Sequence, residues 1–335
     1  MGTHVVTGGD GFLGRHLVRA LEAEGHSVIS FDQKADAQVS VDANDGEALQ
    51  VVLNAFRPDA IWLFACPASP NEYAAKPETA LATIDGTRYA LEWARGQAHK
   101  PRVILASSSE VYGDPQVIPT RETERGHVES YCLRACYDEA KRASEAWAWI
   151  AAHRWGVDVR VARIHNTYGP GQRGDGRVIP TFVRQALRGE PMTIRAPGTQ
   201  CRSFCYVGDL IDGLIKLSKV HPGDLDHKGR NVHALPVNLG NDRNVFSVED
   251  LATKIGATVR RMFGIVQQEH VFVPDPIGHD PQDRLPDLAR ARSLLQWDTV
   301  VTFHSAGLFE TIRDVVLTEP EFAHLRGQFE GADHA

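Results

Sequence analysis

Tyr137 and Lys141 stand four residues apart, a spacing that puts two helical side chains on one face, one turn from each other. A phenol with a pKa of about 10 is a poor base at neutral pH, and a neighbouring ammonium stabilises its phenolate. An isolated pair of this kind is an ordinary solvated helix face. Here Ser107-Ser108-Ser109-Glu110-Val111-Tyr112-Gly113 lies upstream, directly after the β-rich run Val103–Ala106. A Ser108 hydroxyl at a strand end can share the hydrogen bond to an alcohol while Tyr137 takes its proton. The chemistry these residues suit is abstraction of a hydroxyl proton.

A second constellation opens the chain. Thr7-Gly8-Gly9-Asp10-Gly11-Phe12-Leu13-Gly14 carries glycines at 8, 11 and 14, after the strand-like Thr3–Thr7 and at the start of a helix. The first glycine allows a tight turn, the second lets backbone approach a pyrophosphate, and the third permits close helix–sheet packing. The helix N-terminus adds N–H donors and the positive end of its dipole. A second strand ends in Asp32, about twenty residues on. A carboxylate there accepts from the adenosine ribose hydroxyls and repels a 2′-phosphate. The pattern reads as a dinucleotide site preferring NAD to NADP, with Lys34 the one nearby feature that argues otherwise.

Positioning these groups falls to an alternation of strands and helices. Val5-Val6 leads through the glycine turn into a helix from Phe12 to Glu24. Ser27–Phe31, Ala60–Phe64, Val103–Ala106 and Val157–Ala162 read as further strands with helical stretches between them. Such alternation implies right-handed βαβ units and an α/β fold, a Rossmann-like, doubly wound parallel sheet. Beyond Tyr168 the pattern loosens into Gly/Pro-rich loops with shorter helices near Ile179–Arg188 and Val248–Met262, as a smaller C-terminal substrate lobe would. Residues 1–167 are expected to form the cofactor-binding domain, with segments returning to it over roughly 203–240, and 168–330 mainly the substrate lobe. The tail after Arg326 is expected to fray.

At 335 residues, 42% hydrophobic and 24% charged, the chain has the makeup of a globular protein with one large domain and a smaller lobe. A formal net charge of −7 gives no footing for a nucleic-acid or membrane-surface partner. A dianionic diphosphate would have to be held by local donors. No stretch approaches the roughly 18 uninterrupted apolar residues of a membrane-spanning helix, and Met1 runs into a strand without the basic and apolar regions of a signal peptide. The five cysteines, Cys66, Cys132, Cys136, Cys201 and Cys205, form no Cys-x-x-Cys pair. No metal site is expected, and the thiols read as reduced ones in a cytoplasmic protein.

Together the glycine pattern, the serine strand end and Tyr137-x-x-x-Lys141 resemble the extended short-chain dehydrogenase/reductases that act on nucleotide sugars, the NAD-dependent epimerase/dehydratase group. Within it the chain is most similar to the UDP-glucuronate decarboxylases, over nearly its whole length. The segments carrying the likeness begin with Ala65-Cys66-Pro67-Ala68-Ser69-Pro70 with Tyr73, Ser109-Glu110-Val111-Tyr112-Gly113-Asp114-Pro115 and Arg134-Ala135-Cys136-Tyr137-Asp138-Glu139. They continue with Asn166-Thr167-Tyr168-Gly169-Pro170, Asp175-Gly176-Arg177-Val178, Arg202-Ser203-Phe204-Cys205-Tyr206-Val207 and Asp280-Pro281-x-x-Arg284-x-Pro286-Asp287.

The resemblance implies a catalytic set of Ser108, Glu110, Tyr137, Lys141 and Arg284. It implies contacts to NAD from Gly8, Gly11, Phe12, Leu13, Gly14, Asp32, Asp42, Ala65, Tyr137 and Lys141. For the nucleotide sugar it implies Pro67, Ser69, Tyr73, Ser109, Asn166, Arg177, Arg202 and Arg284. The reaction implied is redox-neutral and needs no metal: Tyr137 takes the 4-hydroxyl proton while hydride leaves C4 for NAD. The new ketone is β to the C5 carboxylate and serves as electron sink for loss of carbon dioxide. Hydride then returns, and UDP-glucuronate has become UDP-xylose. Glu110 and Arg284 would steer water or protonate C5, and the planar fork of arginine suits Arg177 and Arg202 to the diphosphate and neighbouring sugar oxygens. Relatives pair the Tyr137 helix with its neighbour across a two-fold axis, which implies a homodimer.

Ser109-Glu110 separates the chain from the related 4,6-dehydratases, which carry Asp-Glu, and a carboxylate at 110 separates it from simple 4-epimerases. Other positions depart from the decarboxylase pattern. Leu63-Phe64-Ala65 replaces His-Leu-Ala, Thr83 an Asn, and His165 a Phe, while Ser130–Leu133 lacks a Pro-x-Gly. The loop Gly171-Gln172-Arg173-Gly174-Asp175, expected to face the substrate, is one residue shorter and opens as in many epimerases. The redox residues are intact, and a nucleotide-sugar 4-epimerase or another enzyme modifying a nucleotide-linked hexuronate stands as the alternative. A catalytically silent NAD-binding protein is a second, against which Ser108, Tyr137 and Lys141 argue. His165 reads as a packed histidine bonded to backbone, and Trp147, Trp149 and Trp155 as core or subunit packing.

Overall fold

In the computed structural model, which describes residues 1–34, 37–67, 70–221, 223–224, 233–274 and 282–329, the β-branched runs pair as one parallel sheet. Its strands include β1 (Thr3–Thr7), β2 (Ser27–Asp32), β3 (Val39–Ser40), β4 (Ala60–Leu63), β5 (Arg102–Ser108) and β6 (Val159–Ile164). Between them run α1 (Phe12–Ala23), α2 (Gly46–Phe56), α3 (Pro70–Ala75), α4 (Pro77–Arg95) and α5 (Ala135–Trp155). The chain continues through β7 (Thr167–Tyr168), α6 (Val178–Arg188), β8 (Thr193–Arg195), β9 (Cys201–Ser203), β10 (Cys205–Tyr206), α7 (Val207–Lys219) and β11 (Pro236–Leu239). It ends with β12 (Val245–Ser247), α8 (Val248–Phe263), β13 (Val271–Val273), β14 (Asp283–Arg284), α9 (Ala289–Leu295) and α10 (Leu308–Thr318). The large sheet has the order β11-β6-β5-β4-β1-β2-β3. Its winding reverses between β1 and β4, the switch point at whose carboxyl ends ligands bind in such sheets. The fold is the expected Rossmann-like α/β architecture, with smaller sheets in the C-terminal part.

Alternating side chains bury on opposite faces. Val6, Trp62 and Ile104 pack on one face with Leu17 and Leu21 of α1 and Leu210 and Leu214 of α7. Val5, Ile61 and Val103 pack on the other with Leu49 and Leu53 of α2, Leu91 of α4 and Ala151 of α5. A sheet covered on both faces explains why its strands read as continuous apolar runs. A third core joins Phe182 of α6, Leu251 and Ile255 of α8, Ile312 of α10 and Ile194 of β8. It sits with the short sheets β12-β9-β14 and β13-β8. The expected fraying after Arg326 does not hold for residues 327–329, and 330–335 lie outside the described residues. Pro320–Gln328 forms a 3₁₀ turn and Phe329 is buried against Phe263 and Phe309, so order reaches past Arg326 because an aromatic ring there has a pocket to fill. Trp147 and Trp155 lie together on the sheet side of α5, with 5.9 Å between their rings, whereas Trp149 is exposed and stacks on His153.

One buried polar side chain ties the C-terminal part to the large sheet. Asn238, on β11, is fully buried. Its Oδ1 accepts from the Tyr112 hydroxyl (2.7 Å), and its Nδ2 donates to the carbonyls of Thr120 (2.9 Å) and Asp287 (3.2 Å). Thr120 in turn exchanges backbone hydrogen bonds with Leu285 and Asp287, which fixes the segment that carries Arg284. Replacing Asn238 with Ala strands a hydroxyl and loosens two carbonyls in a dry interior. Asn238→Ala is expected to lower stability by about 2–4 kcal/mol, read as a drop in the urea midpoint at unchanged slope. An unchanged midpoint would contradict this role.

Candidate active site

The glycine turn lies where the sheet splits. The Gly8 N–H donates to Phe31 O (2.8 Å), and Thr7 Oγ1 accepts from the N–H groups of Phe64 and Ala65 (both 3.0 Å). The ends of β1, β2 and β4 are thereby tied around the turn. Gly8 has φ +68°, and a Cβ there would stand 2.9 Å from Ala65 N, while a Cβ at Gly14 would collide with Gly8 O; neither position takes a side chain. Phe12 and Leu13 open α1, whose first turn holds no acidic residue, so its positive end is left for a pyrophosphate. Asp32 closes β2. Asp42 follows β3 and accepts from the Asn44 N–H (2.9 Å). Lys34 Nζ and Arg15 both donate to Asp10 O (2.6 and 2.9 Å), so Lys34 braces the glycine turn. This cradle fits NAD.

The base pair stands beside it. Tyr137 and Lys141 sit one turn apart near the start of α5, both buried. Lys141 Nζ donates to Ala106 O (2.7 Å) and lies 5.6 Å from the centre of the Tyr137 ring. Tyr73, from α3, stacks on Tyr137 with 5.6 Å between centroids and 19° between planes. Burial raises the Tyr137 phenol above its ordinary value and the neighbouring Cys66 adds to this, while a hydrogen bond with Ser108 and the charge of Arg177 pull it down. The expected lowering by Lys141 is not what dominates: its ammonium is engaged by a carbonyl, and desolvation wins. Ser108 ends β5, and its Oγ accepts from the Glu110 N–H (3.2 Å).

Glu110 is the centre of a buried ion cluster. Arg284 donates to both its oxygens, through Nη1 to Oε1 and through Nη2 to Oε2 (2.6 Å), and Arg134 Nη2 also donates to Oε2. Burial alone would raise this carboxyl, but the two guanidiniums outweigh it and hold Glu110 well below the usual carboxylate range. Arg134 reaches on to Asp138, one turn further along α5 (Nε to Oδ2, 3.5 Å). Asp138 is pushed up to about 8, by burial first and then by the negative charge of Glu110. Arg284 Nε and Asp138 Oδ1 are buried without a hydrogen-bond partner among the described residues. Tyr73 borders the cluster, and burial pushes its phenol up to about 12.

The remaining expected residues surround this cluster to different degrees. β9 and β14 run parallel with Arg202 opposite Arg284, and Arg202 Nη1 donates to the carbonyls of Cys201 (2.8 Å) and Gln282 (2.9 Å). Arg177 precedes α6 and pairs with Asp175 (3.1 Å). The Asn166 carbonyl accepts from the Cys205 N–H (2.9 Å), joining the end of β6 to β10. Ser109 is buried beside Glu110, and Pro67 O accepts from Cys66 Sγ (3.4 Å). Ser69, with Asp280 and Pro281, lies outside the described residues. The short loop is tied at its start: Pro170 O lies 2.9 Å from His16 Nε2 of α1, and the Gly171 N–H donates to Asp314 of α10 (2.6 Å). His165 is buried and bonds to the Asn238 side chain (3.4 Å), a side-chain partner where a backbone one is expected, and burial lowers it to about 3.

Arg134 and Asp138 join the site without having been expected there, although both flank Tyr137 in the sequence. Their i,i+4 spacing across Tyr137 is the signal that marks them.

Residues 4–226 match the profile of the NAD dependent epimerase/dehydratase family. The chain is 36% identical over 308 residues to UDP-glucuronic acid decarboxylase 3 of Arabidopsis thaliana, covering 89% of this chain and 84% of the relative. It is 38% identical over 320 residues to UDP-glucuronic acid decarboxylase 1 of Danio rerio, covering 92% and 71%. Among solved structures it is similar to the UDP-glucose 4-epimerase of Thermotoga maritima, with a TM-score of 0.81 at 26% identity over 94% of this chain and 99% of that one. It shares its fold with the UDP-glucuronic acid 4-epimerase from Bacillus cereus, with a TM-score of 0.77 at 21% identity over 95% and 100%.

Proposed function

Because the chain belongs to the NAD dependent epimerase/dehydratase family, we propose that it decarboxylates UDP-glucuronate to UDP-xylose. The coarser reading, an NAD-dependent enzyme that modifies nucleotide sugars, is its membership in that family. The observation that carries the finer one is the cluster around Glu110. Two guanidiniums stand with one ionised carboxylate in a buried site next to Tyr137, and Arg284 keeps an Nε–H without a described partner. Such a site suits a sugar whose C5 bears a carboxylate. The decarboxylase relatives point the same way.

In this reading Gly8, Gly14 and Ala65 hold NAD against the switch point, with Asp32 at the adenosine ribose. Bound NAD supplies the redox chemistry by taking a hydride from the sugar and giving it back. Ser108 orients the 4-hydroxyl, and Tyr137 Oη takes its proton and later returns it. Lys141, fixed on Ala106 O, keeps a positive charge near the phenol. Arg284 receives the C5 carboxylate, and Glu110 holds Arg284 in place. Loss of carbon dioxide sends the bond electrons toward the 4-keto oxygen, and a proton then reaches C5 from the Glu110–Arg284 side. Arg177 and Arg202 serve the diphosphate. The residues of the large sheet carry the cofactor and those of the third core the nucleotide sugar.

A 4-epimerase is the second reading, favoured by Gly171-Gln172-Arg173 and by the likeness to the Thermotoga maritima enzyme. A cytoplasmic location with reduced thiols is part of this reading, and no described helix is long and apolar enough to cross a membrane. For assembly the reading is a homodimer through α4 and α5, which carry the exposed Leu81 and Trp149. Light scattering at micromolar concentration should return twice the chain mass, and a monomer would contradict it.

The decisive test of activity is the product formed from UDP-glucuronate, followed by NMR. UDP-xylose and carbon dioxide are expected, and a UDP-hexuronate with its carboxylate intact would favour the epimerase. Tyr137→Phe should lower turnover by about 10²- to 10⁴-fold. Arg284→Ala should leave NAD binding intact while cutting carbon dioxide release. Wild-type decarboxylation by that variant would remove Arg284 from the mechanism.

A further inference from the structure

Asp138 has no part in the chemistry above, yet it is one of the most confined carboxyls near Tyr137. Its side chain is 5% exposed, its Oδ1 has no described partner, and its Oδ2 has only the 3.5 Å contact to Arg134 Nε. The groups that face it come from four elements. Arg134, Cys136 and Glu139 lie on its own helix or at the helix start, Glu110 on the turn after β5, Arg284 on β14 and Tyr73 on α3. Two carboxyls thus share Arg134, and Glu110 holds the better position through the two-point contact with Arg284. Two carboxyls that share one guanidinium in a dry site do not both ionise readily. Asp138 is the one that stays neutral near pH 7, in keeping with its upward displacement to about 8.

A neutral Asp138 has a consequence for substrate choice. Among Glu110, Arg134, Asp138 and Arg284, two guanidiniums and one carboxylate are then charged, and a carboxylate brought by the sugar adds a negative charge beside them. Once Asp138 ionises, a protein carboxylate competes for the same guanidiniums.

We propose that Asp138 is a positioning residue that sets the preference for a carboxylate-bearing sugar: it stays neutral while the sugar carboxylate sits beside Arg134 and Arg284, and its ionisation drives that carboxylate out. The inference rests on the uronate reading and adds the residue that governs it. Asp138 acts through the two arginines and does not touch the reacting atoms.

The test uses the NAD complex of Tyr137→Phe, which slows turnover by about 10²- to 10⁴-fold, with and without Asp138→Asn. UDP-glucuronate and UDP-glucose are titrated calorimetrically at pH 7, 8 and 9. UDP-glucose carries the same uridine and diphosphate, so the ratio of the two dissociation constants isolates the carboxylate. With Asp138 present, the preference for the uronate should fall about tenfold between pH 7 and 9. Asp138→Asn puts an uncharged amide of the same shape in its place, and the preference should then change by less than about twofold over that range. NAD affinity in both proteins reports that the site is folded. A preference that is flat in both proteins, or that falls equally in both, overturns the role of Asp138 while leaving the uronate reading in place. A protein that binds the uronate no better than UDP-glucose at pH 7 overturns the uronate reading, and this inference with it.

Discussion

Arg284 and Glu110 are 174 residues apart in the chain and meet as a buried, two-point ion pair. Taking a guanidinium and a carboxylate out of water costs several kcal/mol for each ion, and only close geometry with further hydrogen bonds offsets that cost. The pair therefore demands a rigid frame on both sides. On one side it is the turn after β5, where Ser108 Oγ accepts from the Glu110 N–H. On the other it is β14, held parallel to β9 and locked through Leu285, Thr120 and Asn238. Removing Glu110 would strand the Arg284 guanidinium, a loss of about 3–5 kcal/mol in comparable buried pairs, whereas without Arg284 the carboxylate keeps Arg134.

The same frame links the cofactor cradle to the substrate side. β5 and the turn after it deliver Ser108 and Glu110 together, and the start of α5 delivers Tyr137, Asp138 and Lys141, with Arg134 just before it. A second buried network braces this corner from behind. Ser107 donates to Glu145 (2.5 Å), Arg163 forks onto both Glu145 oxygens (2.9 and 2.7 Å), and the Arg163 guanidinium lies 4.8 Å from the centre of the Tyr112 ring. Burial, which raises the Tyr137 phenol, also makes each charge around it count for more. A dry site needs its charges matched, and the cluster beside Tyr137 is where a substrate carboxylate can do so.

Much of this was legible in the residues themselves. The strand–glycine–helix order at Val5 to Gly14 implied a dinucleotide cradle, and the Tyr137–Lys141 spacing implied one helix face, because local periodicity controls both. The family resemblance marks Glu110 and Arg284, but not their mutual grip, since no local pattern ties a turn after β5 to a two-residue strand near the end of the chain. Asp138 shows the limit most clearly. Its spacing from Arg134 is readable, yet its protonation depends on how Glu110 and Arg284 are packed around it. β3 and β11 are not legible for a simpler reason: two residues show no period, and in β11 a proline and an asparagine interrupt the continuous apolar run that marks β4.

The most direct measurement of the central claim is a crystal structure of Tyr137→Phe with NAD and UDP-glucuronate bound. The account predicts the uronate carboxylate within hydrogen-bond distance of Arg284, about 3 Å, with Glu110 still paired to the same guanidinium and the 4-hydroxyl directed at the position of the lost phenol. A uronate whose carboxylate points to solvent, with Arg284 and Glu110 closed upon each other and out of its reach, would contradict it.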